Sequence, residues 1–217
     1  LEDLCGIPVV GVIPYMDVDI EDEDSLSSRL ETGKGKAPAA VDLAVIRFPR
    51  ISNFTDFNVF SGIPGVSLRY VTRACDLGTP DMVILPGTKN TIHDLLWMRQ
   101  NGLEAAILKL ADRQVPVWGI CGGYQMMGEV LVDKKGVESD LPSRTSGMGL
   151  LPLKTEFEEE KIRTQVEGAF GQLDGCLGGL SGKSIEGYEI HMGRTYIDRE
   201  EGAADTARIV SWRREPE

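Results

Sequence analysis

Histidine is almost absent: the 217 residues carry two, His93 and His191. Imidazole chemistry therefore has only two places to sit. The four cysteines, Cys5, Cys75, Cys121 and Cys176, form no Cys-x-x-Cys pair and have no histidine at zinc-like spacing, which argues against a metal site. Their scatter, with no secretory feature, also argues against a disulfide framework, so reduced thiols in a cytoplasm are expected. No stretch approaches the roughly 20 consecutive apolar residues of a membrane-spanning helix, and no signal-peptide pattern is present. Positive charge is scarce, with 23 Lys and Arg against 34 Asp and Glu and a net charge of −11. Such a field repels nucleic-acid phosphates and anionic lipid. Gly33-Lys34-Gly35-Lys36 lacks P-loop spacing and a preceding strand, and no dinucleotide fingerprint occurs. The acidic clusters at 17–24 and 156–160 lack a cation-binding loop pattern. Nucleic acid, membrane and metal are all excluded as expected partners.

What remains is a chain with 41% hydrophobic and 26% charged residues, enough to bury a core. It opens Leu1-Glu2-Asp3 rather than with Met, and so reads as part of a longer polypeptide. Ile7 to Pro14 reads as a short strand, and the acid-rich residues 15–38 as a linker with nothing to bury. Two parts follow: 1–38, a tail and linker, and 39–217, a compact domain beginning near Val41.

Within that domain, strands and helices alternate. Val41 to Arg47, Val66 to Val71 and Asp81 to Leu85 are apolar or alternating runs of strand length. Residues 91–100 and 103–113 carry helical spacing, Val115 to Ile120 reads as a buried strand, and 123–132 reads as a helix. Apolar-alternating runs recur at 161–166, 185–191 and 207–212. This order predicts an α/β fold, a three-layer arrangement of a largely parallel sheet with helices on both faces. Sites in such sheets form beyond the carboxyl ends of the strands.

One such end stands out. An apolar strand runs into Gly119-Ile120-Cys121-Gly122-Gly123, and a helical pattern follows at once. This is a thiol version of the Gly-x-Ser-x-Gly elbow, in which a sharp strand-to-helix turn exposes the nucleophile. The following helix start favours a thiolate. The bland alternative is a structural cysteine in a tight turn, which is what Cys5, Cys75 and Cys176 are expected to be. The Gly122 N–H is a natural oxyanion donor, and Leu85-Pro86-Gly87-Thr88, another strand ending in a glycine loop, offers a second at Gly87. That loop equally suits an ordinary turn capped by Asn90 or Thr91. His93 reads as a solvated helix residue. By elimination among residues, His191 is the plausible general base for Cys121, with Glu189 placed two residues earlier to orient it.

Four stretches together, Arg50-Ile51-Ser52-Asn53-Phe54-Thr55-Asp56-Phe57, Leu85-Pro86-Gly87-Thr88-Lys89-Asn90-Thr91, Gly119 to Met126, and Gly187-Tyr188-Glu189-Ile190-His191-Met192-Gly193, give the region from Val41 to Thr195 its resemblance. It resembles the glutaminase domain of the cobyric acid synthase family of cobalamin biosynthesis. The resemblance implies a flavodoxin-like, class I glutamine amidotransferase fold in which Cys121 forms a thioester with glutamine. Gly87 and Gly122 would hold the oxyanion, and Gln125 would contact the bound glutamine. The released ammonia would pass to an upstream synthetase domain of the same polypeptide. ATP and Mg2+ belong to that domain, which amidates adenosylcobyrinic acid a,c-diamide; this domain needs no cofactor. Residues 7–25 look like that domain's tail. The resemblance also implies a base histidine in a Tyr-x-His-Gly motif later than the His191 motif. The sequence to Glu217 holds no such motif. His191 then lines the site rather than acting as base, Glu189 or Asp56 is the candidate orienter, and the isolated chain is expected to have little glutaminase activity. Competing readings are a sibling amidotransferase (cobyrinic acid a,c-diamide synthase or a cell-wall amidase partner), another cysteine hydrolase on the same elbow, and a non-enzymatic docking module. The Ile-Ser-Asn-Phe-Thr-Asp-Phe and Leu-Pro-Gly-Thr-Lys-Asn stretches argue against the siblings.

Overall fold

Val41–Ile46 (β1), Val66–Val71 (β2), Met82–Leu85 (β3) and Val117–Gly119 (β4) pair in parallel in the order β2-β1-β3-β4. The computed structural model describes residues 2–11, 39–139, 141–173, 175–197 and 211–214. β-Branched and Leu residues fill these strands, and Val83, Ile84 and Leu85 are all buried because both faces of the sheet are covered. One face packs Ala44, Ile46, Val71, Val83 and Leu85 against Ile92, Leu95 and Met98 of Thr91–Gln100 (α4) and Leu103, Ile107 and Leu110 of Leu103–Asp112 (α5). The opposite face packs Leu43, Val45, Leu68 and Ile84 against Phe57 and Phe60. Those two phenylalanines come from a 3-10 turn, Phe54–Phe57, and from Asn58–Ser61 (α2). This is the expected α/β arrangement, with helical segments on both sides of a parallel sheet.

A second sheet follows the first, in the order β6-β5-β7-β8. Val130–Asp133 (β5) pairs antiparallel with Ser143–Ser146 (β6) and parallel with Leu153–Ala169 (β7). β7 pairs antiparallel along Ser184–Ile197 (β8), and also with Ser211–Arg214 (β9). The alternating runs at 161–166 and 185–191 thus do form strands, but in a long hairpin rather than as more of the parallel sheet. Part of the 207–212 run, residues 207–210, lies outside the described residues.

Two local expectations are corrected. Residues 123–132 are not one helix: Gly122–Met126 (α6) stops after five residues and β5 begins at Val130. The reason is tertiary. Gly128 N–H donates to the Gln125 carbonyl, and the Gly128 carbonyl accepts from Gly149, while a Cβ on Gly128 would lie 2.7 Å from the Leu153 oxygen. The crossing chain takes the space that another helical turn needs. Ile7 to Gly11 likewise forms no strand; among the described residues no strand pairs with it, and Ile7 and Val10 are exposed. A short helix, Glu2–Cys5 (α1), precedes it instead. The linker expected at 15–38 lies outside the described residues. Ala74–Leu77 (α3) closes the connection after β2.

Candidate active site

β4 ends at Gly119, and the chain reverses through Cys121 into α6. Cys121 has φ 50° and ψ −113°, a region that side chains rarely adopt and that marks stored strain at functional sites. The thiol-bearing residue is exposed. The flanking glycines are required by space. A Cβ on Gly119 would sit 2.5 Å from Met127 Sδ and 2.6 Å from Tyr124 Cα, and one on Gly123 only 2.0 Å from the Leu85 carbonyl oxygen. The turn is therefore packed directly onto the end of β3, with Ile120 N–H donating to Leu85 O at 2.9 Å. The expectation of an exposed cysteine on a strand-to-helix bend matches this geometry. The helix behind it is a single short turn and a half, so its dipole does less for a thiolate than the sequence suggests.

The Leu85-Pro86-Gly87-Thr88 loop lies against the elbow. Gly87 is buried, and a Cβ on it would be 3.8 Å from Cys121 Cβ. Gly122, also buried, faces Thr88: a Cβ there would lie 2.6 Å from Thr88 Cγ2 and 3.4 Å from Thr88 N. The Arg50 to Phe57 stretch braces this loop from outside. Ser52 N–H donates to Gly87 O at 2.9 Å, Lys89 N–H donates to Arg50 O at 2.9 Å, and Ile51 bridges Thr88. Asn53 takes the left-handed conformation (φ 52°) to turn into the buried Phe54 and Phe57, a conformation Asn tolerates better than most residues.

Gln125 is 6% exposed, and its amide is bonded at both ends. Oε1 accepts from Thr91 Oγ1 at 3.3 Å and Nε2 donates to the Met192 carbonyl at 3.1 Å. The amide thereby ties α4, α6 and β8 together. His191, next to Met192, is held by Glu189: Nε2 and Glu189 Oε1 are 2.7 Å apart. Its Nδ1 is buried with no hydrogen-bond partner. A neutral ring that donates from Nε2 to a carboxylate keeps its lone pair on Nδ1. Of the two suggested orienting residues, Glu189 makes the contact, while Asp56 is exposed on the 3-10 turn. His93 is exposed on α4, as expected, and its backbone N–H donates to the N-cap Asn90 Oδ1 at 2.9 Å.

Two residues near the site, Asp94 and Glu138, escape a reading of the sequence. Asp94 is fully buried, and Thr88 Oγ1 donates to its Oδ2 at 2.5 Å. Burial pushes its carboxyl above the ordinary carboxylate range, against the pull of Thr88 and Arg50. Glu138, buried in the loop after β5, accepts at Oε2 from the backbone N–H groups of Thr91 and Ile92. Burial raises its pKa as well. Thr91 connects Glu138 to Gln125, its N–H donating to Glu138 Oε2 and its Oγ1 to Gln125 Oε1 at 3.3 Å. The signal for Asp94 was present: it shares one helical face with Thr91, Ile92, Leu95 and Met98, all buried. A carboxylate inside an apolar stripe is seldom left there without a partner. Among the described residues, no group of His, Cys, Asp and Glu is arranged to hold a metal, and no helix is long and apolar enough to cross a membrane.

The sequence pattern of the CobB/CobQ-like glutamine amidotransferase domain family matches residues 42–214. A cobyric acid synthase of Ruminiclostridium cellulolyticum is 55% identical over 201 residues, covering 92% of this chain and 38% of that protein. A cobyric acid synthase of Lachnoclostridium phytofermentans is 51% identical over 195 residues, covering 90% of this chain and 37% of that protein. One from Yersinia enterocolitica is 49% identical over 201 residues, with 91% and 38% covered. The chain thus spans less than two fifths of the length of these curated relatives.

Proposed function

This chain belongs to the CobB/CobQ-like glutamine amidotransferase domain family, and from that premise we propose that it is the glutaminase part of a cobyric acid synthase. The Cys121 sulfur attacks the side-chain amide carbon of glutamine. The resulting tetrahedral oxyanion is held by backbone N–H groups of Gly122 and Gly87. The C–N bond then breaks, nitrogen leaves with a proton as ammonia, and the γ-glutamyl thioester on Cys121 takes up water to give glutamate. The observation that carries this reading is the exposed Cys121, held at positive φ with the buried Gly87 backbone against it.

His191 lines the site in this proposal, with Glu189 engaging Nε2 and Nδ1 left as an acceptor. Gln125 contacts the bound glutamine in this proposal only by exchanging one of its present bonds, of which the 3.3 Å contact with Thr91 is the longer. Ammonia passes to an ATP- and Mg2+-dependent synthetase domain of the same polypeptide, which amidates peripheral carboxylates of adenosylcobyrinic acid a,c-diamide. The greater length of the cobyric acid synthase relatives supports such a domain. The proposed setting is the cytoplasm, where a thiol nucleophile stays reduced.

The test is covalent labelling. The glutamine analogue 6-diazo-5-oxo-norleucine should modify Cys121 with saturation, glutamine should protect it, and Cys121→Ser should abolish the adduct in peptide mass spectra. Iodoacetamide reacting at Cys121 while the analogue does not would refute a glutamine site and favour another hydrolase on the same elbow.

A further inference from the structure

Asp94 has no part in the chemistry just described, yet it is a fully buried carboxylate at the first turns of α4. Its two oxygens are spent on the two strands of chain that frame Gly87. Oδ2 accepts from Thr88 Oγ1 at 2.5 Å and from the Arg50 backbone N–H at 3.2 Å. Oδ1 faces the Arg50 guanidinium at 3.6 Å and takes no hydrogen bond. Residues 50–52 and 87–89 run beside each other through the Ile51–Thr88 bridge, the Ser52 N–H to Gly87 carbonyl bond and the Lys89 N–H to Arg50 carbonyl bond. Asp94 grips both segments, through the Arg50 N–H of one and the Thr88 hydroxyl of the other.

Burying a carboxylate is costly, and one buried among apolar neighbours is retained where its bonds fix something. What these bonds fix is the peptide that follows Gly87 and, through it, the Gly87 backbone that carries the oxyanion N–H. The Gly87 carbonyl is turned to Ser52, and a Cβ on Gly87 would lie 2.9 Å from Ser52 Oγ and 3.8 Å from Cys121 Cβ. An oxyanion donor has to stand within about 0.5 Å of its working position, and a flexible glycine loop does not hold that tolerance unaided.

We propose that Asp94 is a positioning residue of the glutaminase reaction, its carboxylate locking Thr88 and Arg50 so that the Gly87 backbone stays aimed at the carbon attacked by Cys121. The inference rests on the glutaminase reading above. It separates two properties of the cysteine. Reactivity of the thiol itself depends on the elbow, whereas stabilisation of an oxyanion depends on the braced loop. Losing one oxyanion donor outright costs about 10²–10³ in rate, so a donor left in place but loosened should cost about 10–100-fold.

The experiment compares wild type with Asp94→Ala, Thr88→Val and Thr88→Ser, each checked for folding by circular dichroism. Two rates are measured at Cys121: the saturating rate of labelling by 6-diazo-5-oxo-norleucine, whose ketone oxygen lies where the amide oxygen would, and the rate with iodoacetamide, which needs no oxyanion donor. Asp94→Ala should slow the first about 10–100-fold, with the half-saturating concentration and the iodoacetamide rate within about twofold of wild type. Thr88→Val should follow it, and Thr88→Ser, which restores the hydroxyl, should label as wild type. If Asp94→Ala does not fold, the Thr88 pair decides, since Val keeps the shape and removes the hydroxyl, with its bond to Asp94 and the one it accepts from Asn90 N–H at 3.1 Å, while Ser restores both. Folded variants labelling within twofold of wild type would overturn the proposal. So would a parallel fall in both rates, which would place the effect on the thiol or the fold. Wild type that reacts with iodoacetamide but not with the analogue would instead bring down the glutaminase reading, and this inference with it.

Discussion

The parallel sheet and the β7–β8 hairpin are built on opposite plans. In β3, three consecutive residues, Val83, Ile84 and Leu85, are buried because helices cover one face and the 54–61 segment covers the other. In β8, Tyr188 is 73% exposed and Ile190 51% exposed, with Glu189 between them turned inward to His191. A strand covered on both faces presents its backbone end as a rigid platform, and Gly87 stands on such an end. The Cys121 turn leaves the edge strand β4, where Trp118 is 50% exposed, and is packed onto that end by Ile120 N–H donating to Leu85 O. A strand covered on one face contributes single groups instead, here the Met192 carbonyl to Gln125 and the held imidazole of His191. The site is therefore rigid on the elbow side and more adaptable on the hairpin side.

The sharpest way to break the contrast is one substitution made in each region. Gly123→Ala forces a Cβ to 2.0 Å from Leu85 O and 2.7 Å from Pro86 O. These are backbone atoms that cannot swing aside, so a loss of about 4 kcal/mol is expected, together with loss of analogue labelling. Gly187→Ala places its Cβ in open space, and should change stability by no more than about 0.5 kcal/mol. Urea denaturation of the two variants measures both. Equal effects would mean that the elbow is not packed on β3 as described.

A second pair probes packing rather than backbone contact. Leu95 is fully buried between the sheet and α5, and Leu95→Ala should cost about 3 kcal/mol. Ile190→Ala on the open hairpin face should cost under about 1 kcal/mol. A large loss at Ile190, read from thermal melts, would show that its exposed face is covered in solution.

The same contrast explains what could be read from the residues. β1, β2, β3, α4 and α5 lie where expected because their signals are local, and α4 spans residues 91–100 as its spacing implies. The elbow was legible because Gly-x-Cys-x-Gly answers a local steric demand. The five-residue α6 was not, since the chain that blocks its extension arrives some 20 residues later, at Gly147 to Leu153. Alternation revealed the strands at 161–166 and 185–191, but it says nothing of direction, and so a hairpin passed for parallel strands. Asp94 and Glu138 were missed for one reason. An acidic residue in a helix's first turns or in a loop normally reads as solvated; the apolar face around Asp94 argues otherwise, whereas Glu138 is distinguished only by its burial.

The smallest effect concerns charge on the hairpin side. Glu156 of β7 accepts from Lys134 at 2.8 Å and from Tyr196 Oη at 2.8 Å, with Lys154 Nζ at 3.1 Å. These contacts, Lys134 first, pull its pKa from the ordinary 4.5 down to about 2. A pKa lower in the folded state stabilises the fold fully above about 4.5, and that contribution vanishes as pH falls through about 2. Lys134 is largely exposed, so screening keeps the contribution under about 1 kcal/mol. Asp94 and Glu138, raised by burial, act with the opposite sign: they favour the fold at low pH and weaken it as pH rises through their raised values. Wild type and Glu156→Gln share those two groups, so they cancel in the difference between the proteins. That difference in stability, followed by urea titration, should be present at pH 6 and shrink steadily between about pH 4.5 and pH 2. A gap that stays constant over the range would assign Glu156 a packing role and remove its charge from the account of the hairpin.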